Sequence, residues 1–284
     1  MPEYGKGTSS RVAANIRHTF PAIELAMVVG ICGGMPYTKA NEEIFLGDVI
    51  ISESIVAYDE GCQLPNEFIL LNKEGYKLGA DLERFLKTIR ISLLEKRTVE
   101  FLREPAAAEF GIDPDPKPRY LGSGEDKSFK STFRHKHHRE GECEICDKCK
   151  GDTDDACPES RKRDCEEFGC YGEESRSRLG KTEEPHIYLG RVASGDTVLK
   201  SGIHRDDYHH KLDVIAFEME GAGVFRNLPC LIIKGVCDYA DSHKNKNWQD
   251  YAAATAAACL KAVLREWRPT RAVVQASHES FQRL

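Results

Sequence analysis

A chain of 284 residues and 31.9 kDa is long enough to bury one large core. Its apolar fraction of 40% is slightly low and its charged fraction is 30%, which suggests a globular domain that carries a polar insertion. Its formal net charge of −6 argues against the basic surface of a nucleic-acid or anionic-membrane binder. The first residues lack an apolar signal-peptide core, and no apolar run approaches the ~18 residues of a membrane span, so we expect a cytoplasmic protein with reduced cysteines.

Residues 1–104 alternate helical and strand patterns. "GTSSRVAANIRHTF" predicts a helix capped by Thr8 or Ser9, with Val12, Ile16 and Phe20 on one face. "IELAMVVGICGG" predicts a buried strand that ends in a glycine turn, and "IFLGDVIISESIVAYD" predicts a strand pair or one long bent strand. "GADLERFLKTIRISLLEKRTVEFLRE" predicts a single long amphipathic helix.

Residues 105–184 differ in kind, because charge, glycine and proline replace aliphatic residues and no helical or strand period persists. This composition predicts a partly disordered insertion. Six of the eleven cysteines lie in it, and His135, His137 and His138 precede them. Cys143-x2-Cys146 has zinc-knuckle spacing, and Cys149 and Cys157 could complete a structural zinc site. Free thiols on a flexible loop and disulfides are the alternatives.

Residues 185–268 resume the alternation, and 269–284 form a tail. "HIYLGRVASGD" and "PCLIIKGVCD" predict strands, "EMEGAGVFRN" predicts a helix start, and "WQDYAAATAAACLKAVLREW" predicts an alanine-rich helix. Strands that alternate with helices favour an α/β protein. The predicted architecture is a three-layer α/β/α sandwich with a central mixed, mostly parallel sheet.

Four short motifs fall at the ends of predicted strands, where ligands of parallel sheets bind. They are Gly33-Gly34, Ser194-Gly195-Asp196, Glu218-Met219-Glu220 and Asp238. A glutamate can accept two hydrogen bonds from a ribose diol, a methionine can contact the sugar face, and a semi-buried aspartate can protonate a leaving nitrogen. Together they suit cleavage of a glycosidic bond to a nucleobase. The alternative is that Glu218 and Glu220 are helix N-terminal acids and Asp238 is a loop cap.

"VASGDTV", "AFEMEGAGV" and "IKGVCDYAD" resemble the motifs of the nucleoside phosphorylase and methylthioadenosine/S-adenosylhomocysteine nucleosidase superfamily. "MVVGICGGMP" with "LGDVIISESIVAYD" resembles the glycine turn and following strands of the same fold. "DYADSHKNKNWQDYAAATAAA" is similar to a fungal variant that is often the amino-terminal domain of NACHT- or repeat-containing receptors. The resemblance covers about residues 5–104 and 186–265 and implies a nucleoside phosphorylase-like fold.

The resemblance implies roles for individual residues. Glu220 would hold the ribose hydroxyls, Met219 would lie against the sugar, and Asp238 would protonate the purine at its imidazole nitrogen. Glu218 begins the same motif with no assigned role. The turn at Gly33-Gly34 would let the backbone approach the ribose or the nucleophile. Ser194-Gly195-Asp196 would precede the base pocket, where the backbone near Val198 and Leu199 would meet the base.

Departures from the family pattern refine these expectations. Val28 and Ile31 occupy the positions of an arginine and a serine that hold phosphate in phosphorylases, so water is favoured as the nucleophile. Val198 replaces an aromatic residue that stacks on the base. The family's first strands, about 60–70 residues by typical element lengths, would precede this chain, so we expect an amino-terminally truncated domain.

The leading hypothesis is hydrolytic cleavage of the N-glycosidic bond of a purine nucleoside or related compound, without a catalytic cofactor. The alternative is a non-catalytic nucleoside-sensing or interaction module of a fungal receptor-type protein. In either case the expected partner is a small-molecule nucleoside, with neither nucleic acid nor membrane, and the sequence leaves a homo-oligomer open.

Overall fold

The structure is a computed structural model that describes residues 5–104, 118–151, 154–162, 164–170, 175–177 and 182–268. Residues 105–117 of the predicted insertion and the predicted tail, 269–284, lie outside the described residues. The described helices are α1 (Lys6–Thr19), α2 (Ala80–Thr88), α3 (Ile91–Arg103), α4 (Glu144–Lys148), α5 (Cys165–Phe168), α6 (Gly202–Leu212), α7 (Gly221–Phe225) and α8 (Gln249–Glu266). The described strands are β1 (Ala26–Gly34), β2 (Val49–Ala57), β3 (Gly61–Gln63), β4 (Phe68–Leu70), β5 (Tyr76–Lys77), β6 (Lys127–Phe129), β7 (Ser175–Ser177), β8 (Ile187–Ser194), β9 (Val214–Glu218) and β10 (Cys230–Asp238).

The central sheet has the strand order β10-β1-β9-β8-β2-β5. Its long ladders, β1 with β10 and β2 with β8, are parallel, as is β8 with β9. Short antiparallel contacts join β1 to β9 and β2 to β5. A mixed α/β fold with a central sheet is therefore confirmed.

The sheet closes on itself, which the sequence did not predict. Strand β2 pairs with β10 as well as with β8. A register shift between Ser52 and Ser54 interrupts β2, so that Ile50 and Ile51 pair with β10 while Ile55 pairs with β5. Such irregularities bend a strand and increase its twist. The predicted sandwich with one central sheet layer thus differs from the structure, in which the sheet curls into a barrel.

Successive side chains along β2 and β10 point to opposite faces of the sheet and belong to two apolar clusters, one on each face. Ile50 and Ile232 belong to one cluster, together with Phe217 of β9. Val49 and Leu231 belong to the other, which packs beneath α3 and α8. Every residue of β10 is buried, which explains its nearly continuous apolar sequence.

Two helix predictions need correction. The predicted long helix is two helices, α2 and α3, because Ile89 and Arg90 adopt extended backbone angles. The Thr88 hydroxyl donates to carbonyl groups of the last turn of α2, as helix-end threonines commonly do.

Helix α1 begins at Lys6 after Gly5, so neither Thr8 nor Ser9 caps it. Val12 and Ile16, expected on one apolar face, are 37% and 39% exposed.

The described part of residues 105–184 contains α4, α5, the β6–β7 pair and two short 3-10 helices. Its apolar core is small and centres on Phe129, Phe168 and Cys170. Whether the segment is partly disordered stays a prediction. Among the described helices, none has the length and apolar character that crossing a membrane requires.

Candidate active site

The Glu-Met-Glu motif lies where β9 ends and α7 begins. Glu218 is the last residue of β9, and its carboxylate accepts hydrogen bonds from the backbone N–H groups of Glu220 (3.1 Å) and Gly221 (3.0 Å). These contacts fit the alternative that Glu218 is an acid at a helix start, because they satisfy amides that the helix leaves unpaired. Glu220 instead keeps a partly exposed carboxylate, at 16% of its side-chain surface.

A buried lysine joins both glutamates. Lys234 lies in the middle of β10, and its Nζ is 2.9 Å from Glu220 Oε2 and 3.3 Å from Glu218 Oε2. Burial disfavours the ammonium form, but the two carboxylates outweigh that effect and raise the pKa of Lys234 above its ordinary value. Lys234 was not among the residues predicted from the sequence, although a lone lysine inside "CLIIKGVCD" indicates that it has a buried partner.

Asp238 is the last residue of β10 and is 4% exposed. Its Oδ1 accepts a hydrogen bond from the Ala240 N–H at 2.9 Å, which is the loop-capping role named as the alternative. Its Oδ2 lies 2.8 Å from Nζ of Lys244. Burial lowers the pKa of Lys244, but the Asp238 carboxylate outweighs burial and holds that pKa above its ordinary value. Asp238, like Glu218 and Glu220, therefore has a lysine partner.

A cavity of about 570 Å³ is lined by both glutamates and by their neighbours Lys234 and Lys244. Of the predicted site residues, its wall contains Gly33, Val198, Leu199, Glu218, Met219 and Glu220. The other polar and aromatic lining residues were not predicted from the sequence; they are Tyr58, Thr197, Phe217, Lys234, Lys244, Lys246 and Gln249. Val28 and Ile31 also line the cavity, and neither side chain carries a charge. The cations of the lining are therefore lysines, which lie on β10 and on the loop that follows it.

The Asp238 carboxylate lies directly behind this wall. A Cβ atom on Gly33 would lie 2.9 Å from Asp238 Oδ1 and 2.9 Å from Ala240 Cβ. Glycine is therefore needed at Gly33 for β1 and the loop after β10 to approach this closely. Lys244, which lines the cavity, is the side chain through which Asp238 is linked to it.

Besides Asp238, four predicted residues do not line the cavity. Ser194 is buried, and its Oγ accepts a hydrogen bond from the Ala222 N–H at 3.0 Å. Gly195 packs against the ring of Tyr58, and Asp196 accepts a hydrogen bond from the Lys6 N–H at 2.7 Å. Gly34 packs against Val236. These residues contact the protein around the cavity. A direct contact between any of them and a ligand remains a prediction.

A larger cavity, of about 740 Å³, lies elsewhere and is lined by Glu53, His186 and Arg191 among others. It adjoins the first half of β8, whereas ligands of such sheets bind beyond the carboxyl ends of strands. None of the predicted site residues lines it. The smaller cavity is therefore the candidate active site.

Three of the four predicted metal ligands form a cluster, in which His137 takes the place predicted for Cys149. The ligand atoms of His137, Cys143, Cys146 and Cys157 all lie within 4.8 Å of one another. His137 Nδ1 is 3.5 Å from the Sγ atoms of both Cys146 and Cys157. Two sulfur atoms and a nitrogen at this spacing fit tetrahedral zinc, for which ligand separations are about 3.5 Å.

Cys149 was predicted as a ligand and lies apart from this cluster. It follows the last residue of α4, and its Sγ accepts a hydrogen bond from Arg134 at 3.5 Å. His137 takes its place, because the chain folds back and brings the residues before Cys143 against α4.

No family model matches the chain. A nucleotide-binding leucine-rich repeat-like protein of Hyaloscypha variabilis is 28% identical over 274 residues, which cover 93% of this chain and 24% of that protein. Methylthioadenosine/S-adenosylhomocysteine nucleosidases of Mycobacterium bovis and Mycobacterium tuberculosis are 30% identical over 91 residues, or 30% of this chain and 36% of theirs. The chain fits the nucleoside phosphorylase and nucleosidase superfamily.

The chain thus matches about a quarter of the length of the first of these relatives and about a third of the others. Among solved structures, futalosine hydrolase of Helicobacter pylori has a TM-score of 0.49 and 16% identity over 93% of this chain and 77% of that one. A nucleosidase of Neisseria meningitidis has a TM-score of 0.49 and 15% identity over 93% and 78% of the two chains.

Proposed function

We propose that the cavity binds a purine nucleoside or a related compound and that the protein cleaves its N-glycosidic bond with water. The observation that supports this most is the placement of Glu220 and the Asp238–Lys244 pair at one cavity of about 570 Å³. That volume lies within the roughly 300–1,000 Å³ of small-molecule sites. Glu220 suits the sugar, and the Asp238–Lys244 pair suits the base.

Glu220 is proposed to hold the ribose. Its carboxylate is partly exposed on the cavity wall, while Lys234 fixes Oε2 from behind at 2.9 Å. A carboxylate held in one orientation can accept hydrogen bonds from both hydroxyls of a vicinal diol. The same negative charge stabilises the positive charge that develops on the sugar as the bond to the base breaks. Met219 supplies an apolar contact next to it.

The Asp238–Lys244 pair is proposed to protonate the base. When the bond from the sugar carbon to the base nitrogen breaks, its electron pair goes to the base, which leaves more readily if its imidazole nitrogen takes up a proton. Asp238 Oδ2 and Lys244 Nζ lie 2.8 Å apart, so a proton of the Lys244 ammonium group can be passed to that nitrogen, directly or through the Asp238 carboxyl group. Water then adds to the sugar carbon and gives one proton back to the Asp238–Lys244 pair, so the products are the free base and the free sugar.

Water is proposed as the nucleophile because Lys234 and Lys244 already have carboxylate partners. Lys234 faces two carboxylates and Lys244 faces one, so together these groups carry no net positive charge. Val28 and Ile31 add no donor side chain to the same wall. Lys246 is exposed at the cavity rim, and a phosphate would have to rely on it.

The test is incubation of the purified protein with adenosine, inosine and guanosine, with and without phosphate, followed by chromatographic measurement of free base. Release of base at equal rates in both conditions supports hydrolysis. Release only with phosphate supports a phosphorylase, and no release in either condition excludes turnover of these nucleosides.

A non-catalytic nucleoside-binding module is the second candidate. It is favoured by the match to the repeat-containing relative, which extends over 93% of this chain. Calorimetric binding of a nucleoside without any release of base identifies this function. The absence of both binding and turnover refutes both proposals.

A further inference from the structure

A second group of metal-binding side chains lies where the insertion meets the candidate active site. The ligand atoms of His135, Cys170 and His243 lie within 4.8 Å of one another, and all three residues are buried. His135 Nδ1 is 3.3 Å from Cys170 Sγ and 3.7 Å from Cys165 Sγ. These separations match the spacing of about 3.5 Å between ligands of a tetrahedral zinc ion.

We propose that His135, Cys165, Cys170 and His243 bind a second zinc ion that fastens the insertion to the loop after β10. Two cysteines and two histidines form a ligand set typical of structural zinc. Two thiolates also balance the charge of Zn²⁺, so the buried site would be neutral.

His243 supplies independent evidence for a ligand. The residue is 6% exposed, and neither ring nitrogen has a hydrogen-bond partner among the described residues. Asp241 Oδ1 is 3.7 Å from Nδ1, which is too long for a hydrogen bond. A buried polar atom without a partner typically costs about 1–3 kcal/mol, so native proteins rarely retain one. A metal bound at one nitrogen removes this cost, and a nearby carboxylate such as Asp241 commonly orients a metal-bound imidazole.

The surroundings already hold the histidine ring in place. It stacks on Phe129 at a centroid distance of 3.7 Å and an interplanar angle of 14°. The His135 backbone N–H donates to Ser242 Oγ at 3.0 Å, so residues 135 and 243 are fixed relative to each other by the chain as well. The insertion's own apolar core is small, and a core of that size usually needs a metal or disulfide to be stable.

The proposed ion would also fix the loop that carries Lys244. His243 directly precedes Lys244, whose Nζ is 2.8 Å from Asp238 Oδ2. Tyr239 of the same loop donates to Asp126 of the insertion at 2.6 Å. Metal at the second site would therefore hold Lys244 beside Asp238, whether or not the cavity turns nucleosides over.

The test measures zinc per chain by elemental analysis after dialysis against a metal chelator of moderate affinity. The Cys143→Ser/Cys146→Ser variant removes two ligands of the first cluster, and we expect it to keep close to one zinc. Adding His243→Ala should remove that zinc, whereas adding His243→Cys, which restores a ligand, should keep it. Cys149→Ser is the matched control, because Cys149 is a buried thiol of the same insertion outside both clusters; it should leave the zinc content of the wild-type chain unchanged.

Cobalt replacement identifies the ligands. Co²⁺ in the His243→Cys variant should show stronger thiolate charge-transfer absorption than in its parent, because a third sulfur is bound. If the double-serine variant cannot be purified folded, the same comparison is made in the wild-type chain, where His243→Ala should lower the zinc content by one. Zinc that is retained equally with and without His243→Ala, or absent from folded protein before that change, overturns the proposal.

Hydrogen exchange provides a readout of the loop. Removal of the metal should increase exchange of residues 239–246 at least tenfold and leave α8 unchanged. Loss of zinc without any change in that loop would refute the coupling to Lys244.

Discussion

Replacing Lys234 by methionine tests the buried charge cluster beneath the candidate sugar site. The Lys234 side chain is 4% exposed, and its ammonium group faces Glu218, which is fully buried, and Glu220, which is 16% exposed. Methionine fills a similar volume but leaves two carboxylates without their cation. Removal of one partner from a buried ion pair typically costs about 3–5 kcal/mol.

We therefore expect Lys234→Met to lower the free energy of unfolding by about 3–5 kcal/mol. At roughly 2–4 °C per kcal/mol for a large domain, the thermal midpoint should fall by at least about 6 °C. Circular dichroism during heating and during urea titration measures both quantities. Lys211→Met is the matched control, because Lys211 pairs with Asp207 on the exposed surface of α6 and should leave the midpoint unchanged.

A second substitution separates charge from packing. In Lys234→Met/Glu218→Gln one uncompensated charge is removed, so the double variant should be more stable than Lys234→Met alone. A loss below about 1 kcal/mol for Lys234→Met, or a double variant that loses the sum of the two single effects, refutes the reasoning.

Other outcomes follow from the same geometry. Asp238→Asn keeps the size of the side chain but cannot pass a carboxyl proton, so base release should fall about 10²–10⁴-fold while calorimetric nucleoside binding persists; an unchanged rate would assign the acid elsewhere. Glu220→Gln offers the diol one acceptor oxygen instead of two, and nucleoside affinity should fall roughly tenfold or more, whereas an unchanged dissociation constant would exclude Glu220 from the sugar site. The raised pKa of Lys234 means that the stability provided by its ammonium group should be constant between pH 6 and 9. This stability should be lost only as pH rises through that raised pKa, above about 10.5. A stability difference between Lys234→Met and wild type that changes between pH 6 and 9 contradicts this.

The amino-acid sequence alone was sufficient to predict elements whose signals are local. The apolar run of β10 ends on Asp238, and β9 ends on Glu218 before a short helix, as the sequence patterns indicated. Such predictions succeed because burial of a strand and the start of a helix depend on neighbouring residues along the chain. Local patterns failed at the break between α2 and α3. The amphipathic periodicity continues across this break, so the pattern predicted one helix where the structure has two.

The tertiary structure alone decided which charges and ligands meet. Lys234 on β10 reaches Glu220, which lies between β9 and α7, and His137 rather than Cys149 joins Cys143. His243, far along the chain from the cysteines, lies beside Cys170 only because the insertion docks on the loop after β10. The sequence could identify Glu220 and Asp238 as candidates, but their lysine partners and the closure of the sheet result from contacts between distant segments, which no local pattern of residues records.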